Sequence, residues 1–255
     1  MATTEFSVAK PPTGVGLDGV RKAAMTCRAC PLWEPATQTV FGKGPADARV
    51  VFVGEQPGDV EDRKGEPFVG PAGKLLDRAL VEAGIDRDQT YVTNAVKHFR
   101  FTQSGKRRLH QTPGPEHVAA CRPWLDAELA LVDPELVICL GATAAKAMFG
   151  PSFRITKQRG QLVPLDQQAS LGGDGSLFDE PEDAAVKSAW IMATTHHSAV
   201  LRVPEEGRQD AYDALVADLR TGASVLAWPR CRVRHGGFRP AGRRSRRPAA
   251  LPRRR

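Results

Sequence analysis

The sequence predicts an α/β fold: a three-layer α/β/α sandwich around a central, mainly parallel four-stranded sheet. Four short apolar runs rich in β-branched residues predict the strands, and segments with helical spacing of apolar residues lie between or beside them. Strands that alternate with helices favour a parallel sheet covered on both faces. The unusual polar residues follow the strands, and in such sheets ligands bind outside the carboxyl ends of the strands.

Each predicted element is a short pattern bounded by polar or turn-forming residues. The predicted strands are ARVVFVG (48–54), QTYVTNAV (89–96), ELVICLG (135–141) and AWIMATT (189–195). The predicted helices cover 71–84, 115–134, 142–150 and 207–222. Pro71 and Gly84 mark the two ends of the first helix, whereas Pro123 is expected to disturb the second. The Gly- and Asp-rich residues 166–188 are predicted to form a surface loop.

Length and composition predict one domain with tails. The chain has 255 residues, 41% of them hydrophobic, which is enough for a core. We expect a flexible segment at 1–16, a folded domain at 17–224 and a disordered basic tail at 225–255. No apolar run reaches the roughly 18 residues of a membrane span, and the first residues lack the apolar core of a secretory signal. A monomer in the bacterial cytosol or nucleoid is the expectation.

The formal net charge of +7 is concentrated in the tail. Residues 229–255 contain eleven arginines and no acid, and without these arginines 25 Lys and Arg face 29 Asp and Glu, a net charge of −4. A segment rich in Arg, Pro and Gly cannot build a core. The tail either adds salt-sensitive affinity for phosphates or is an extension without a dedicated role.

Five cysteines raise the question of a metal centre. In a cytosolic chain they are not expected to form structural disulfides. Cys27 and Cys30 form a CxxC pair, which by itself fits a redox site, a zinc site or neither. Cys121 and Cys139 lie in a predicted helix and strand, where each is either a further ligand or an ordinary buried thiol. A four-cysteine site is therefore open to zinc or iron–sulfur, and Cys231 is left over in the tail.

The stretch GKRRLHQT places three cations, Lys106, Arg107 and Arg108, just before His110. It lies in a long polar connection between two apolar segments. Cation runs are usually solvated or bind phosphate, so His110 is a spectator in the simplest interpretation. The same histidine also fits a base, a metal ligand or a nucleophile.

Several blocks taken together resemble the iron–sulfur uracil-DNA glycosylases of families 4 and 5. The blocks span roughly residues 20–222 and are CRACPLW (27–33), VFVGEQPGDVEDRKGEPFVGPAGKLLD (51–77), YVTNAVKH (91–98), ACRPWL (120–125), LVICLGATAAKAM (136–148) and THHSAVLR (195–202). The resemblance implies the uracil-DNA glycosylase fold, uracil-containing DNA as partner, and a structural 4Fe–4S cluster. It implies Cys27, Cys30, Cys121 and Cys139 as the cluster's ligands.

Within that group, GEQPG and GKRRLHQ resemble the UdgX branch. Ordinary family-4 enzymes carry another residue in place of Gln56 and lack the KRRLH insertion. UdgX proteins excise uracil and then stay covalently bonded to the DNA. The resemblance implies that His110 forms this bond.

The resemblance also implies roles for the residues at the strand ends. Asn94 offers an amide donor and acceptor to the edge of uracil, and Phe68 would stack on the base. His196 would donate to the charge that develops on uracil O2, and Glu55 would position water or stabilise the cationic sugar. Further contacts to substrate are expected from Gln56, Asp59, Ser198 and the three cations, which would pair with flanking phosphates, while Glu61 would help to exclude the 5-methyl group of thymine.

One residue departs from the family pattern. The block at 195–202 usually contains His-Pro-Ser in this family, whereas this chain reads His196-His197-Ser198. Loss of the proline frees φ at position 197 and adds a titratable ring.

Three functions are compatible with the sequence. The first is a uracil glycosylase that acts on single-stranded DNA, with duplex as a second substrate, and is captured on the sugar through His110. The second is an ordinary hydrolytic glycosylase in which Glu55 activates water. The third is a non-enzymatic iron–sulfur module that binds DNA, against which Glu55, Asn94 and His196 argue together.

Overall fold

The strands form one central sheet and one separate hairpin. A computed structural model describes residues 5–167 and 189–227. Its strands are β1 (Val50–Gly54), β2 (Thr90–Asn94), β3 (Phe101–Ser104), β4 (Arg107–His110), β5 (Leu136–Leu140), β6 (Val163–Pro164) and β7 (Trp190–Thr194). The sheet has the order β2-β1-β5-β7-β6, and its first four strands run parallel.

The four predicted parallel strands are confirmed, and the structure adds a fifth strand at the edge. This strand, β6, is only two residues long and pairs antiparallel with β7. A two-residue strand has too few positions to show an alternating pattern, so the sequence gives no signal for it.

The predicted helices are confirmed to within a few residues. The helices are α1 (Leu17–Ala24), α2 (Asp59–Lys64), α3 (Pro71–Ala83), α4 (Pro115–Val132), α5 (Ala142–Phe149), α6 (Ile155–Gln158), α7 (His197–Arg202) and α8 (Glu205–Ala223). The disturbance expected at Pro123 does not end the helix, because α4 runs from Pro115 to Val132 with Pro123 inside it. Pro123 lies beside Trp124 and Leu125, which are buried in the core and hold this part of the helix in place.

Two apolar layers cover the sheet, which confirms the three-layer arrangement. Val51 and Val53 of β1 pack into a core with Leu125 of α4 and Phe149 of α5. The alternate residues of β1, Val50 and Phe52, pack on the opposite face among side chains of α3 and α8. Successive strand residues point to opposite faces, so a strand buried on both sides reads as a continuous apolar run.

The stretch predicted to be a polar connection is a β-hairpin. Strands β3 and β4 pair antiparallel, with Phe101 opposite His110, and turn through Gly105-Lys106. Gly105 has φ +56°, a left-handed conformation of the kind that two-residue hairpin turns require. His110 is therefore the last residue of a strand, and its position depends on how the hairpin is attached to the domain.

The predicted domain boundaries remain predictions. Two residues of the segment predicted to be flexible, 1–16, bond to the folded domain. Ser7 N donates to Ala29 O at 2.8 Å, and Ala9 N donates to Ala120 O at 3.0 Å. Cys231, most of the predicted tail and most of the predicted 166–188 loop lie outside the described residues. Among the described helices, none is long and apolar enough to cross a membrane.

Candidate active site

A cavity of about 670 Å³ opens where β1, β2, β5 and β7 end, as the parallel sheet predicts. Eight of the predicted site residues line it, namely Glu55, Gln56, Glu61, Phe68, Asn94, His110, His196 and Ser198. Four others do not line it, namely Asp59, Lys106, Arg107 and Arg108. Side chains from strand ends, the hairpin and α7 thus meet in one space.

Asn94 and Phe68 meet across Gly54, the last residue of β1. A methyl group at position 54 would lie 2.3 Å from Asn94 Oδ1 and 2.9 Å from Phe68 Cζ, so only glycine lets the two side chains approach. Phe68 itself has φ +60°, which is uncommon for a bulky residue and typical of functional sites. Glu61 Oε1 accepts a hydrogen bond of 2.7 Å from Gly70 N, which fixes the loop between Phe68 and α3. A flat ring and an amide edge therefore share one part of the cavity.

His196 is an uncharged imidazole with a defined tautomer. Ser198 N donates to His196 Nδ1 at 3.1 Å, so the ring proton resides on Nε2. Burial, together with smaller contributions from the positive charges of Arg202 and of protonated His110, lowers the pKa of His196 to about 4. At neutral pH the ring therefore offers an N–H donor without a positive charge.

His110 faces the carboxylate of Glu55. Nε2 of His110 lies 3.4 Å from Glu55 Oε1, while Thr143 donates its hydroxyl proton to the other oxygen, Oε2. The His110 side chain is 48% exposed; its partial burial lowers its pKa, Glu55 opposes this, and Arg202 adds to the lowering. The lowering thus comes from burial and from Arg202 of α7, and not from the cations that precede His110 in the hairpin.

Gln56 ties the base of the hairpin to the loop that follows β1. Its Oε1 accepts from Arg100 N at 3.0 Å, and its Nε2 donates to Arg100 O at 3.2 Å and to Gln111 O at 3.0 Å. Arg100 precedes β3 and Gln111 follows β4, so one buried amide holds both strands. The side chain predicted to contact substrate thus binds the segment that carries His110.

The three cations of the hairpin have different surroundings. Arg108 donates to Asp59 and to Asp62, stacks over Phe101 at 4.9 Å, and keeps only 10% of its side chain exposed. The charge of Arg108 is therefore paired with carboxylates of the domain and is largely withdrawn from solvent. Lys106 and Arg107 are exposed at the turn end of the hairpin.

Three of the four predicted cluster cysteines come together. Cys27, Cys30 and Cys121 share one apolar cluster and interact electrostatically. Two of their sulfurs accept N–H bonds, Cys27 Sγ from Trp124 Nε1 at 3.2 Å and Cys121 Sγ from Lys97 N at 3.3 Å. Such N–H···S contacts and an apolar lining suit thiolate ligands of a cluster.

Cys139 does not join them. It lies within β5 in the core between the sheet and α4 and α5, and burial raises the pKa of its thiol. In residues 5–167 and 189–227 no three His, Cys, Asp or Glu side chains already stand close enough to hold a metal ion. Cys27, Cys30 and Cys121 thus share one apolar cluster, whereas Cys139 lies in a different core.

Comparison with known proteins matches residues 41–220 to the uracil DNA glycosylase superfamily. This chain belongs to the uracil DNA glycosylase superfamily. It is 42% identical over 155 residues to a type-4 uracil-DNA glycosylase of Thermotoga maritima, covering 60% of this chain and 74% of the relative. It is 41% identical over 189 residues to a type-4 enzyme of Archaeoglobus fulgidus, covering 74% of this chain and 85% of the relative. A type-5 enzyme of Thermus thermophilus is 29% identical over 128 residues, or 48% of this chain and 57% of the relative.

The cavity includes residues that the sequence analysis did not single out. Thr143 fixes one oxygen of Glu55, and Arg202 lines the cavity near the two histidines. Each has a sequence signal: Thr143 is the second residue of α5, the helix that follows β5, and Arg202 is four residues after Ser198, one helical turn away. Lys146 also lines the cavity, one turn after Ala142 of the same helix.

Proposed function

We propose that this chain excises uracil from DNA and that His110 then bonds to C1′ of the sugar, as in the UdgX branch. The observation that carries the proposal is the location of His110. It lines the same cavity as Asn94, Phe68 and His196, with Glu55 at 3.4 Å. A hairpin that only bound DNA phosphates would not need to place a histidine in this cavity.

Base recognition follows from the residues around Gly54. An extruded uracil would stack on Phe68 and present its acceptor and donor edge to the amide of Asn94. Extrusion from a duplex costs a few kcal/mol, whereas a single strand avoids most of this cost. We therefore expect single-stranded DNA to react faster than duplex.

Bond cleavage places negative charge on uracil and positive charge on the sugar. The neutral Nε2–H of His196 would donate to uracil O2, and the carboxylate of Glu55 would stabilise the cationic sugar. Since Thr143 fixes Oε2 of Glu55, the other oxygen is held toward His110. The glycosidic electron pair leaves with the base.

Capture then requires an uncharged imidazole. The lowered pKa of His110 leaves a lone pair on one ring nitrogen, which forms the bond to C1′. The adduct is at first a cationic imidazolium, and its other ring nitrogen loses a proton to Glu55 or to water. The neutral adduct is a poor leaving group, so each molecule reacts once.

The direct test is the intact mass of the protein after incubation with a uracil-containing single-stranded oligonucleotide. We expect the mass of the protein plus the oligonucleotide, less the mass of uracil. Free abasic product with protein of unchanged mass would instead favour hydrolysis directed by Glu55. Binding with no release of uracil would favour a non-enzymatic module.

Replacing Gln56 by leucine should slow capture. The substitution removes three hydrogen bonds at the base of the hairpin, so we expect adduct formation to slow about tenfold, at a net loss of about 1 kcal/mol or less per bond. Time-resolved denaturing gels measure the rate. Gln103→Leu on the same hairpin is the matched control, because Gln103 bonds only Gly105 O within the turn. Equal capture rates for Gln56→Leu and wild type would contradict a positioning role for Gln56.

We further propose that Cys27, Cys30 and Cys121 hold an iron–sulfur cluster with a structural role. His98 is the proposed fourth ligand. It follows Lys97, whose amide bonds Cys121 Sγ, and burial lowers its pKa to about 4, which leaves a neutral imidazole able to bind iron. Its Nε2 contacts Thr39 Oγ1 at 2.9 Å, which leaves Nδ1 as the ligating atom.

The ligand assignment predicts different effects for two buried cysteines. We expect Cys121→Ser to lose iron and visible absorbance and Cys139→Ser to keep both. His98→Cys should retain iron, since a thiolate replaces the imidazole. Iron loss in Cys139→Ser at unchanged folding would return Cys139 to the ligand set.

A further inference from the structure

His197, which stands where the family motif usually has proline, carries a buried nitrogen without a partner. Within the described ranges, His197 Nδ1 is the only buried side-chain nitrogen or oxygen that has no hydrogen bond. The residue is 4% exposed and lines the cavity. A buried polar atom left unpaired costs free energy, and an N–H left unpaired is rarer than an under-satisfied acceptor, so this nitrogen constrains where the ring proton sits.

The ring of His197 lies between two residues of the base pocket. It stacks on His196 with 4.4 Å between centroids and a 19° interplanar angle, and it lies 5.2 Å from the ring of Phe68. Burial lowers its pKa well below the ordinary histidine value, so the ring is neutral. Two neutral imidazoles are thus stacked face to face, next to the aromatic ring that is proposed to stack on uracil.

Because Nδ1 of His197 is buried and has no partner, it indicates which ring nitrogen carries the proton. An orphaned N–H is rarer in proteins than an under-satisfied acceptor, so the proton is favoured on Nε2. His196 has the same tautomer, fixed by Ser198 N. Both rings therefore have Nε2–H available, and the cavity is where a carbonyl oxygen can meet them.

We propose that His197 is a second hydrogen-bond donor to the departing base, which makes it a catalytic residue alongside His196. The proposal rests on uracil excision as the proposed function, but not on capture by His110. The C1′–N1 bond breaks, its electron pair moves to N1 and spreads onto the carbonyl oxygens, and His197 Nε2–H stabilises that charge without transferring its proton. The unusual histidine adds a donor where the usual motif has none.

The test compares two leaving groups in single-turnover excision. A donor that stabilises the leaving anion matters most for a poor leaving group, so uracil and the better leaving group 5-fluorouracil should differ. We expect His197→Phe, which keeps an aromatic ring, to slow uracil excision about tenfold or more. The same variant should slow 5-fluorouracil excision by a clearly smaller factor. The ratio of the two rates does not depend on how much of the variant is folded.

Two further variants decide between donation and packing. His197→Gln keeps an N–H donor and should recover part of the uracil rate, and His197→Pro restores the usual residue and should behave like His197→Phe in the rate ratio. Equal losses for both bases in all variants, or no loss at all, would overturn the proposal. If wild type releases neither base, the proposed function itself fails.

Discussion

His110→Ser is expected to excise uracil yet to form no covalent adduct, so its product is a free abasic strand. A serine hydroxyl stays protonated at neutral pH and is a far weaker nucleophile than a neutral imidazole. The shorter side chain also leaves space beside Glu55, where water can reach the sugar cation. We therefore expect turnover to rise from one uracil per protein to many.

The measurement follows adduct and free uracil in the same reaction. A denaturing gel reports the shifted protein band, and uracil release reports cleavage. Arg107→Ser is the matched control, because Arg107 is exposed on the same hairpin and lies outside the cavity. It should keep the adduct and lose only salt-sensitive affinity. A shifted band that persists in His110→Ser would assign the bond to another residue.

The lowered pKa of His110 has two causes in the fold. Burial of the ring lowers its pKa first, and Arg202 lowers it further, against the attraction of Glu55. The same Arg202 lowers the pKa of His196. One cation on α7 thus lowers the pKa of both histidines, the proposed nucleophile and the proposed donor.

The location of the site could be predicted from the sequence because it depends on strand ends. Residues 54–56, Asn94 and His196 each follow an apolar run, and the rule for parallel sheets brings them to one edge. The hairpin could not be predicted in the same way, since Phe101–Ser104 and Arg107–His110 are short and polar and lack a buried alternation. Gly105 is the one turn signal there.

The sequence left two further points open because they depend on distant contacts. Arg108 reads as a phosphate-binding cation, but its partners Asp59 and Asp62 lie 49 and 46 residues away along the chain. Cys121 and Cys139 both read as buried thiols. Only packing shows that Cys121 joins the CxxC pair, whereas Cys139 points from β5 into another core.

Lys97→Met is expected to destabilise the domain by about 3–5 kcal/mol, because it leaves a buried carboxylate unpaired. Lys97 and Glu128 form an ion pair with side chains 1% and 0% exposed. Glu128 Oε1 also accepts from Tyr91 OH and from Gly42 N, each at 2.9 Å, so the carboxylate cannot turn toward solvent. Urea unfolding at neutral pH measures the loss.

The matched variant is Lys97→Met combined with Glu128→Gln. The neutral amide removes the unpaired charge and keeps an oxygen for Tyr91 and Gly42, so the double variant should regain much of the lost stability. Recognition of uracil, however, should not recover in the double variant. Lys97 Nζ donates to Asn94 O at 2.8 Å, and methionine cannot hold that carbonyl in either variant. We therefore expect the double variant to fold well but to bind uracil-containing DNA less selectively than wild type. Equal stability of the single and double variants would show that the charge of Glu128 is not the cause.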